Sequence, residues 1–301
     1  MSTLACIDLG TNTFHLLICN ADNKGIEEIF RERQYVILAE DGIELIGEKP
    51  MKRAMRAVDR FKEILDGYTL DAIRILGTEA LRRAKNGHLI TAYISEALGV
   101  TPEIIEGDRE ADLIYKGTKQ IVDLSKGWFC IMDIGGGSVE FIITKDDDIQ
   151  FVKSYKVGVT VLYNRFHHTE PISPKEIDSL REFLGQELKE LTDFLSKNDQ
   201  IHLVGASGSY EVLQNVIEGE IKNNSLSRFS PSQFDALFSD IIMLNLEERR
   251  QVPGIPQQRT KLIIVAFLLI DFIIKSTTFE SIIVSPYALK EGLIAEMLEA
   301  I

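Results

Sequence analysis

The chain has 301 residues, 45% of them hydrophobic and 26% charged, enough to bury a large core and to form two domains. A formal net charge of -13 argues against nonspecific nucleic-acid binding, or attachment to an anionic membrane surface, as the main role. It leaves a phosphorylated substrate open, because a cleft can be locally positive and metal ions can supply the missing charge.

The N-terminal residues MSTLACIDLG lack the basic segment and long apolar run of a signal peptide. Cys6, Cys19 and Cys130 lie in apolar stretches without CxxC or Cys/His spacing, so they read as core residues in a reducing compartment and not as a zinc site. The most apolar run, 262–274, is too short to span a bilayer, contains Asp271, and reads as a buried helix. The expectation is a soluble, cytoplasmic protein that engages neither nucleic acid nor membrane.

In chain order, apolar residues 4–9, the turn Gly10-Thr11-Asn12 and apolar residues 14–19 predict strand, turn, strand. Helical spacing follows at 51–66, 79–84 and 88–98, with a short strand at 72–76 and a further helix over 108–123. Residues 128–134 and 139–144 predict two strands around Gly135, Gly136 and Gly137. A long helix is expected over 173–196, opened by Ser173-Pro174 with Glu176 nearby. Then come a strand at 201–204, the small-residue loop GASGS at 205–209 and a helix over 210–217. Polar residues 223–229 suggest a surface excursion, followed by helices at 231–243 and 258–275, a strand at 282–284 and a closing amphipathic helix at 288–300. With no Pro/Ser linker between the halves, two domains joined by a tight hinge are expected.

Two of these segments repeat one another. IDLGTNTFHLLI (7–18) and MDIGGGSVEFII (132–143) share an Asp, an aliphatic residue, a Gly, two turn residues, a Thr or Ser and a β-rich run. Asp8 aligns with Asp133, Gly10 with Gly135 and Thr13 with Ser138. Such turns suit phosphate, since glycine, lacking Cβ and tolerating positive φ, lets several N–H groups converge on one anion. The hydroxyl that ends each turn adds a donor, and the preceding Asp can hold Mg²⁺ directly or through water. Neither segment matches GxxxxGK[ST] or GxGxxG. Plain structural hairpins would explain the glycines but not the repeated Asp.

Three further side chains carry candidate chemistry. Glu140, two residues past Ser138, alternates with Val139 and Phe141, and could reach a metal together with Asp133 or simply face solvent. Glu110 lies on or beside the apolar stripe formed by Leu113, Ile114, Gly117 and Ile121, as a general base or metal-linked carboxylate would; a first-turn acid favoured by the helix dipole reads the same way. Asp112, Lys116 and Lys119 share another face. In GTEALRRAKNG (77–87), Thr78 is placed to cap a helix carrying Arg82, Arg83 and Lys85, a basic cluster fitted to phosphate or to an ordinary helix end.

Taken in order, DLGTNT (8–13), GTEALRRAKN (77–86), EADLIYKG (110–117), DIGGGSVE (133–140), PGIPQQR (253–259) and VSPYALKEGLI (284–294) resemble the Ppx/GppA family of exopolyphosphatases and guanosine pentaphosphate phosphatases. The motifs run from near one end of the chain to near the other. The resemblance implies an α/β protein of the actin-like ATPase (sugar kinase/Hsp70) fold, with two duplicated RNase H-like domains and a cleft between them. The expected division is 1–123 plus a returning helix 288–301, and 124–287.

The resemblance also implies roles. Glu110 matches the base that activates water, while Asp133 and Glu140 match acids linked to Mg²⁺ and water positioning. Asp8 belongs to the other metal- and phosphate-side hairpin. Gly10, Thr11, Asn12, Thr13, Gly135, Gly136, Gly137, Ser138 and Arg82 match the phosphate-binding set. The implied substrate is inorganic polyphosphate, or alternatively guanosine pentaphosphate (pppGpp); the implied cofactor is Mg²⁺, and family members are often homodimers. The remaining alternatives are a low-turnover regulator that binds a phosphate chain or nucleotide, and an actin-like ATPase or kinase. Three departures bear on substrate choice: Arg109-Glu110-Ala111-Asp112 where Glu-Glu-Ala-Arg is common, GASGS where Gly-Thr-Gly-Gly-Thr is typical, and Thr260-Lys261 where Ala-Asp is common.

Overall fold

The structure, a computed structural model, describes residues 1–219 and 225–300. By their contacts these residues form two compact units. One comprises Met1–Gln120, Gly135–Gly137 and the C-terminal segment from Tyr287; the other comprises Ile121–Ile134 and Ser138–Pro286.

In the first unit the elements are β1 (Ser2–Leu9), β2 (Thr13–Asp22), β3 (Gly25–Tyr35), α1 (Glu48–Leu65), β4 (Ala72–Gly77), α2 (Glu79–Arg83), α3 (Gly87–Leu98), β5 (Glu103–Ile104) and α4 (Gly107–Lys119). The sheet order is β3-β2-β1-β4-β5. The first three strands form an antiparallel meander, and β4 and β5 add parallel to β1. Leu9, Phe14, Leu16 and Ile18 alternate into a core completed by Val58 and Phe61 of α1 and by Ile90 and Ile94 of α3.

The second unit repeats the plan with β6 (Trp128–Ile134), β7 (Val139–Lys145), β8 (Asp148–Tyr155), α5 (Val159–Phe166), α6 (Pro174–Glu187), α7 (Lys189–Leu195), β9 (Ile201–Gly205), α8 (Gly208–Glu218), β10 (Ser227–Phe229), α9 (Pro231–Ile241), α10 (Leu246–Gln251), α11 (Ile263–Ile274) and β11 (Phe279–Val284). Its sheet order is β10-β11-β9-β6-β7-β8. Reversed, this is again a meander β8-β7-β6 followed by two parallel strands, with β10 added antiparallel at the far edge. The duplicated RNase H-like topology is that of the actin-like ATPase fold.

The chain closes with α12 (Leu289–Glu299), which packs against α4 and β1 of the first unit. Two glycines let α4 and α12 meet backbone to backbone. A Cβ on Gly117 would fall 1.9 Å from the Ala288 carbonyl oxygen, and one on Gly292 would fall 1.8 Å from that of Leu113. Glu291, fully buried, accepts the Ala288 amide at 2.9 Å and pairs with Arg31 of β3 at 2.7 Å.

Several expected elements change. The helix expected over 108–123 stops at Lys119. The one expected over 173–196 is interrupted at Leu188, where ψ is 14°; Leu184, Leu188, Leu191 and Leu195 all stay in the core, so packing decides the break. The helix expected from 258 starts at Ile263, because the preceding residues form turns whose Thr260 carbonyl is taken by the fully buried Arg249 at 2.9 Å. Residues 223 and 224 of the expected polar excursion lie outside the described residues; its later part is not an excursion, since β10 buries Ser227 and Phe229. Thr78 stands at the start of α2 without a side-chain capping bond.

Candidate active site

The first hairpin aligns its chemistry by strand register. Leu9 pairs with Phe14 on the core face, so Asp8 pairs with His15 on the other face, and Thr13, two residues before His15, shares that face. The next strand continues the row, since His15 pairs with Arg33 of β3. His15 is buried, and its Nε2 lies 2.8 Å from Thr13 Oγ1. Burial pushes the Asp8 carboxyl up to about 6, with Lys290 opposing the rise and Glu291 adding to it.

The turn itself is held from behind. The Asn12 carbonyl accepts the Val36 amide at 3.0 Å and that of Ile37 at 3.1 Å, and the Thr11 carbonyl accepts the Leu38 amide at 2.8 Å. Arg53 of α1 in turn donates to the Val36 carbonyl at 2.8 Å. The Gly10 amide closes the turn on the Thr13 carbonyl at 3.0 Å.

In the second hairpin Asp133 pairs directly with Glu140, and Glu140 pairs with Ser154 of β8. Ser138 shares their face. Glu140 is 1% exposed, which rules out the solvent-facing alternative, and Ser154 Oγ donates to its Oε1 at 2.7 Å. Two adjacent carboxylates, one buried, form a donor set suited to a hard cation that takes its other ligands from water and phosphate oxygens, as Mg²⁺ does. Among the described residues there is no group of three or more His, Cys, Asp or Glu able to hold a metal by themselves, so the fit is to a two-carboxylate site.

The turn glycines are needed for a different reason than expected. None of Gly10, Gly135, Gly136 and Gly137 has positive φ. Space is the constraint. Gly135–Gly137 group with the first unit, where a Cβ on Gly136 would meet the Asn12 side chain at 2.7 Å and Thr11 at 2.9 Å. One on Gly137 would meet Glu79 at 2.7 Å.

Glu79 leads to the basic cluster. It is buried and pairs with Arg82, whose guanidinium also donates to the Ile105 carbonyl and lies 3.5 Å from Glu106. Arg82 therefore joins α2 to the entry of α4, and Arg83 pairs with Glu44 and with Glu79. On α4, Glu110 is buried in the first turn, as its place on the apolar stripe predicts, with its amide bonded to the Glu106 carbonyl at 2.9 Å.

One departure from the family pattern has a local explanation. Arg109 and Asp112 pair at 2.7 Å and form a network with Lys116 and Glu296 on another face from Glu110, so the exchanged charges are satisfied there. In GASGS, Gly208 keeps the glycine of the typical pattern and leaves room for the Arg259 guanidinium, 1.7 Å from where a Cβ would stand. Lys261 lies over the Tyr163 ring, 4.7 Å from its centroid. His15, Arg33 and Ser154 were not singled out by sequence. The repeat could have flagged His15, since it follows Asp8 by the spacing that separates Glu140 from Asp133.

Comparison with known proteins follows the same outline. The model of the Ppx/GppA phosphatase family matches residues 17–301. A Haemophilus influenzae protein provisionally named exopolyphosphatase is 26% identical over 293 residues, spanning 97% of this chain and 90% of the relative. The crystal structure of an exopolyphosphatase from Cytophaga hutchinsonii has a TM-score of 0.92 and 31% identity, covering 99% of this chain and 98% of that one. A Ppx/GppA family member from Aquifex aeolicus shares the fold, with a TM-score of 0.82, 22% identity and coverage of 99% and 98%.

Proposed function

The chain belongs to the Ppx/GppA phosphatase family of hydrolases, and from that premise we propose that it is an exopolyphosphatase releasing orthophosphate from the end of inorganic polyphosphate in the cytoplasm. The observation that carries this reading is the adjacent pair Asp133 and Glu140, the latter buried and held by Ser154. Two adjacent carboxylates can both ligate one hard divalent cation, and a phosphate chain travels with such a metal. The likeness to the Cytophaga hutchinsonii exopolyphosphatase supports polyphosphate as the substrate.

In this reading Asp133 and Glu140 would hold Mg²⁺, which when bound would neutralise charge on the phosphate oxygens. The turn amides and the hydroxyls of Thr13 and Ser138 donate to those oxygens. Arg82, held by Glu79 and Glu106, exchanges a carboxylate for a phosphate oxygen. Glu110 removes a proton from water. The water oxygen bonds to the terminal phosphorus, the bridging P–O bond breaks, and orthophosphate separates from the shortened chain.

The test is orthophosphate release from long-chain polyphosphate with Mg²⁺, with pppGpp alongside and kcat/KM compared. Faster turnover of pppGpp would reassign the substrate, and binding of either compound without release would make the protein a regulator. Glu110→Gln is expected to lower kcat by roughly 10²–10⁴-fold while the fold persists. Wild-type turnover by a folded Glu110→Gln protein would remove Glu110 as the base.

A further inference from the structure

His15 has no role in the reaction as set out above, yet its place is specific. It is 9% exposed, directly opposite Asp8 on β1 and Arg33 on β3, and on the same face as Thr13. Its Nε2 lies 2.8 Å from Thr13 Oγ1. A hydroxyl has one proton to give and lone pairs to receive. In this pair either Thr13 donates to a bare Nε2, or Nε2–H donates to Thr13. The first arrangement consumes the threonine proton and turns only lone pairs toward an incoming anion. The second leaves that proton free for a phosphate oxygen.

Resting on the phosphatase reading, we propose that His15 is a positioning residue which donates Nε2–H to Thr13 Oγ1 and so aims the Thr13 hydroxyl proton at a phosphate oxygen of the substrate. The requirement that Thr13 be a donor assigns the tautomer. The second hairpin differs at this position. There the position of His15 is taken by Glu140, which as a carboxylate only accepts, and Ser154 Oγ donates to it. The two hairpins thus use one backbone site for opposite purposes, a donor serving an anion and an acceptor serving a cation.

A mutant cycle tests this. Thr13→Val, His15→Leu, the double variant and His15→Gln are compared for KM and kcat in orthophosphate release, for Kd of tripolyphosphate, and for Tm. His15→Leu and Thr13→Val are each expected to weaken KM and Kd about tenfold, the loss of one hydrogen bond to a charged group. On the Thr13→Val background His15→Leu should add less than about twofold, because the hydroxyl it aims is gone. His15→Gln, whose side-chain N–H can occupy the place of Nε2–H, should recover most of the loss. A purely packing role for His15 would give independent, multiplying effects and no rescue by glutamine at unchanged Tm, and either result overturns the proposal. If His15→Leu fails to fold, the folded His15→Gln and Thr13→Val proteins decide it: tenfold weaker binding in His15→Gln overturns it, and near-wild-type binding upholds it. Absence of turnover on both polyphosphate and pppGpp would sink the phosphatase reading alone, since the tripolyphosphate Kd still reports on the Thr13–His15 pair. A wild-type protein that does not bind tripolyphosphate would sink the proposal as well.

Discussion

Across the sheet of the first unit, Asp8 of β1 is followed by His15 and then Arg33; across that of the second, Asp133 of β6 is followed by Glu140 and then Ser154. The backbone pattern is the same in both: a strand ending in Asp, a glycine turn, a hydroxyl residue, and a third strand completing the meander. What differs is the charge that the two rows present. The first offers one carboxylate among nitrogen donors, and the second two carboxylates with a hydroxyl. A duplicated scaffold has therefore been given two electrostatic characters by substitutions at two register positions. In the proposed reaction one would meet the phosphate oxygens and the other the cation that accompanies them.

The sharpest way to break this comparison is to remove the acids of the second row. Asp133→Asn or Glu140→Gln should lower kcat by roughly 10²–10³-fold and raise the Mg²⁺ concentration needed for half-maximal rate. Replacing the imidazole of the first row by an amide, in His15→Gln, should leave that Mg²⁺ midpoint in place. Equal displacement of the midpoint by His15→Gln would mean that both rows hold the metal.

Gly136→Ala is expected to have the next largest effect. Its methyl group must displace the Asn12 side chain and Thr11, so kcat/KM should fall by about tenfold with little change in m-value, read from denaturant titration of the same preparation. Wild-type kcat/KM would show that the turn tolerates the displacement.

Ser154→Ala tests a support rather than a ligand. Loss of its 2.7 Å hydrogen bond to Glu140 should leave kcat at saturating Mg²⁺ within about threefold of wild type while raising the Mg²⁺ midpoint by about tenfold. An unchanged midpoint would mean that Glu140 is held by other contacts.

The smallest expected effect concerns pH. The Asp8 carboxyl, raised to about 6 mainly by burial, binds its proton more tightly in the folded than in the unfolded chain. Stability from this group is thus present at low pH and is lost as pH rises from about 4 to about 6. Asp8→Asn, lacking the buried charge, should be more stable than wild type at pH 8 by on the order of 1 kcal/mol in EDTA, and the gain should shrink at pH 5. A gain that is the same at both pH values would show that charge on Asp8 is not the cause.

Much of this arrangement is legible in the sequence. The repeat around Asp8 and Asp133 marks both hairpins, and the order of six motifs points to the duplicated fold. The stripe through Leu113, Ile114 and Gly117 puts Glu110 at the margin of the α4 core face, where it is found buried. The third strand of each meander is not legible. In β3, GIEEIFRERQY carries charge on both faces and every residue is at least partly exposed, so no apolar alternation announces a strand. β8, the edge strand of its sheet, buries only Tyr155 and gives no clear apolar alternation either. Arg33 and Ser154 were therefore invisible as neighbours of His15 and Glu140.

Sequence alone determined which residues form the two turns and which acids stand at their edges, because each copy of the repeat fits within a dozen residues and follows the two-residue period of a strand. Only the tertiary structure decided what faces them. Strand register sets His15 against Asp8 and Glu140 against Asp133. Side chains such as Asn12 and Glu79 press on the turn from distant parts of the chain, leaving no room for anything but glycine at 136 and 137. These last contacts depend on how separate segments pack in space, and no local spacing encodes them.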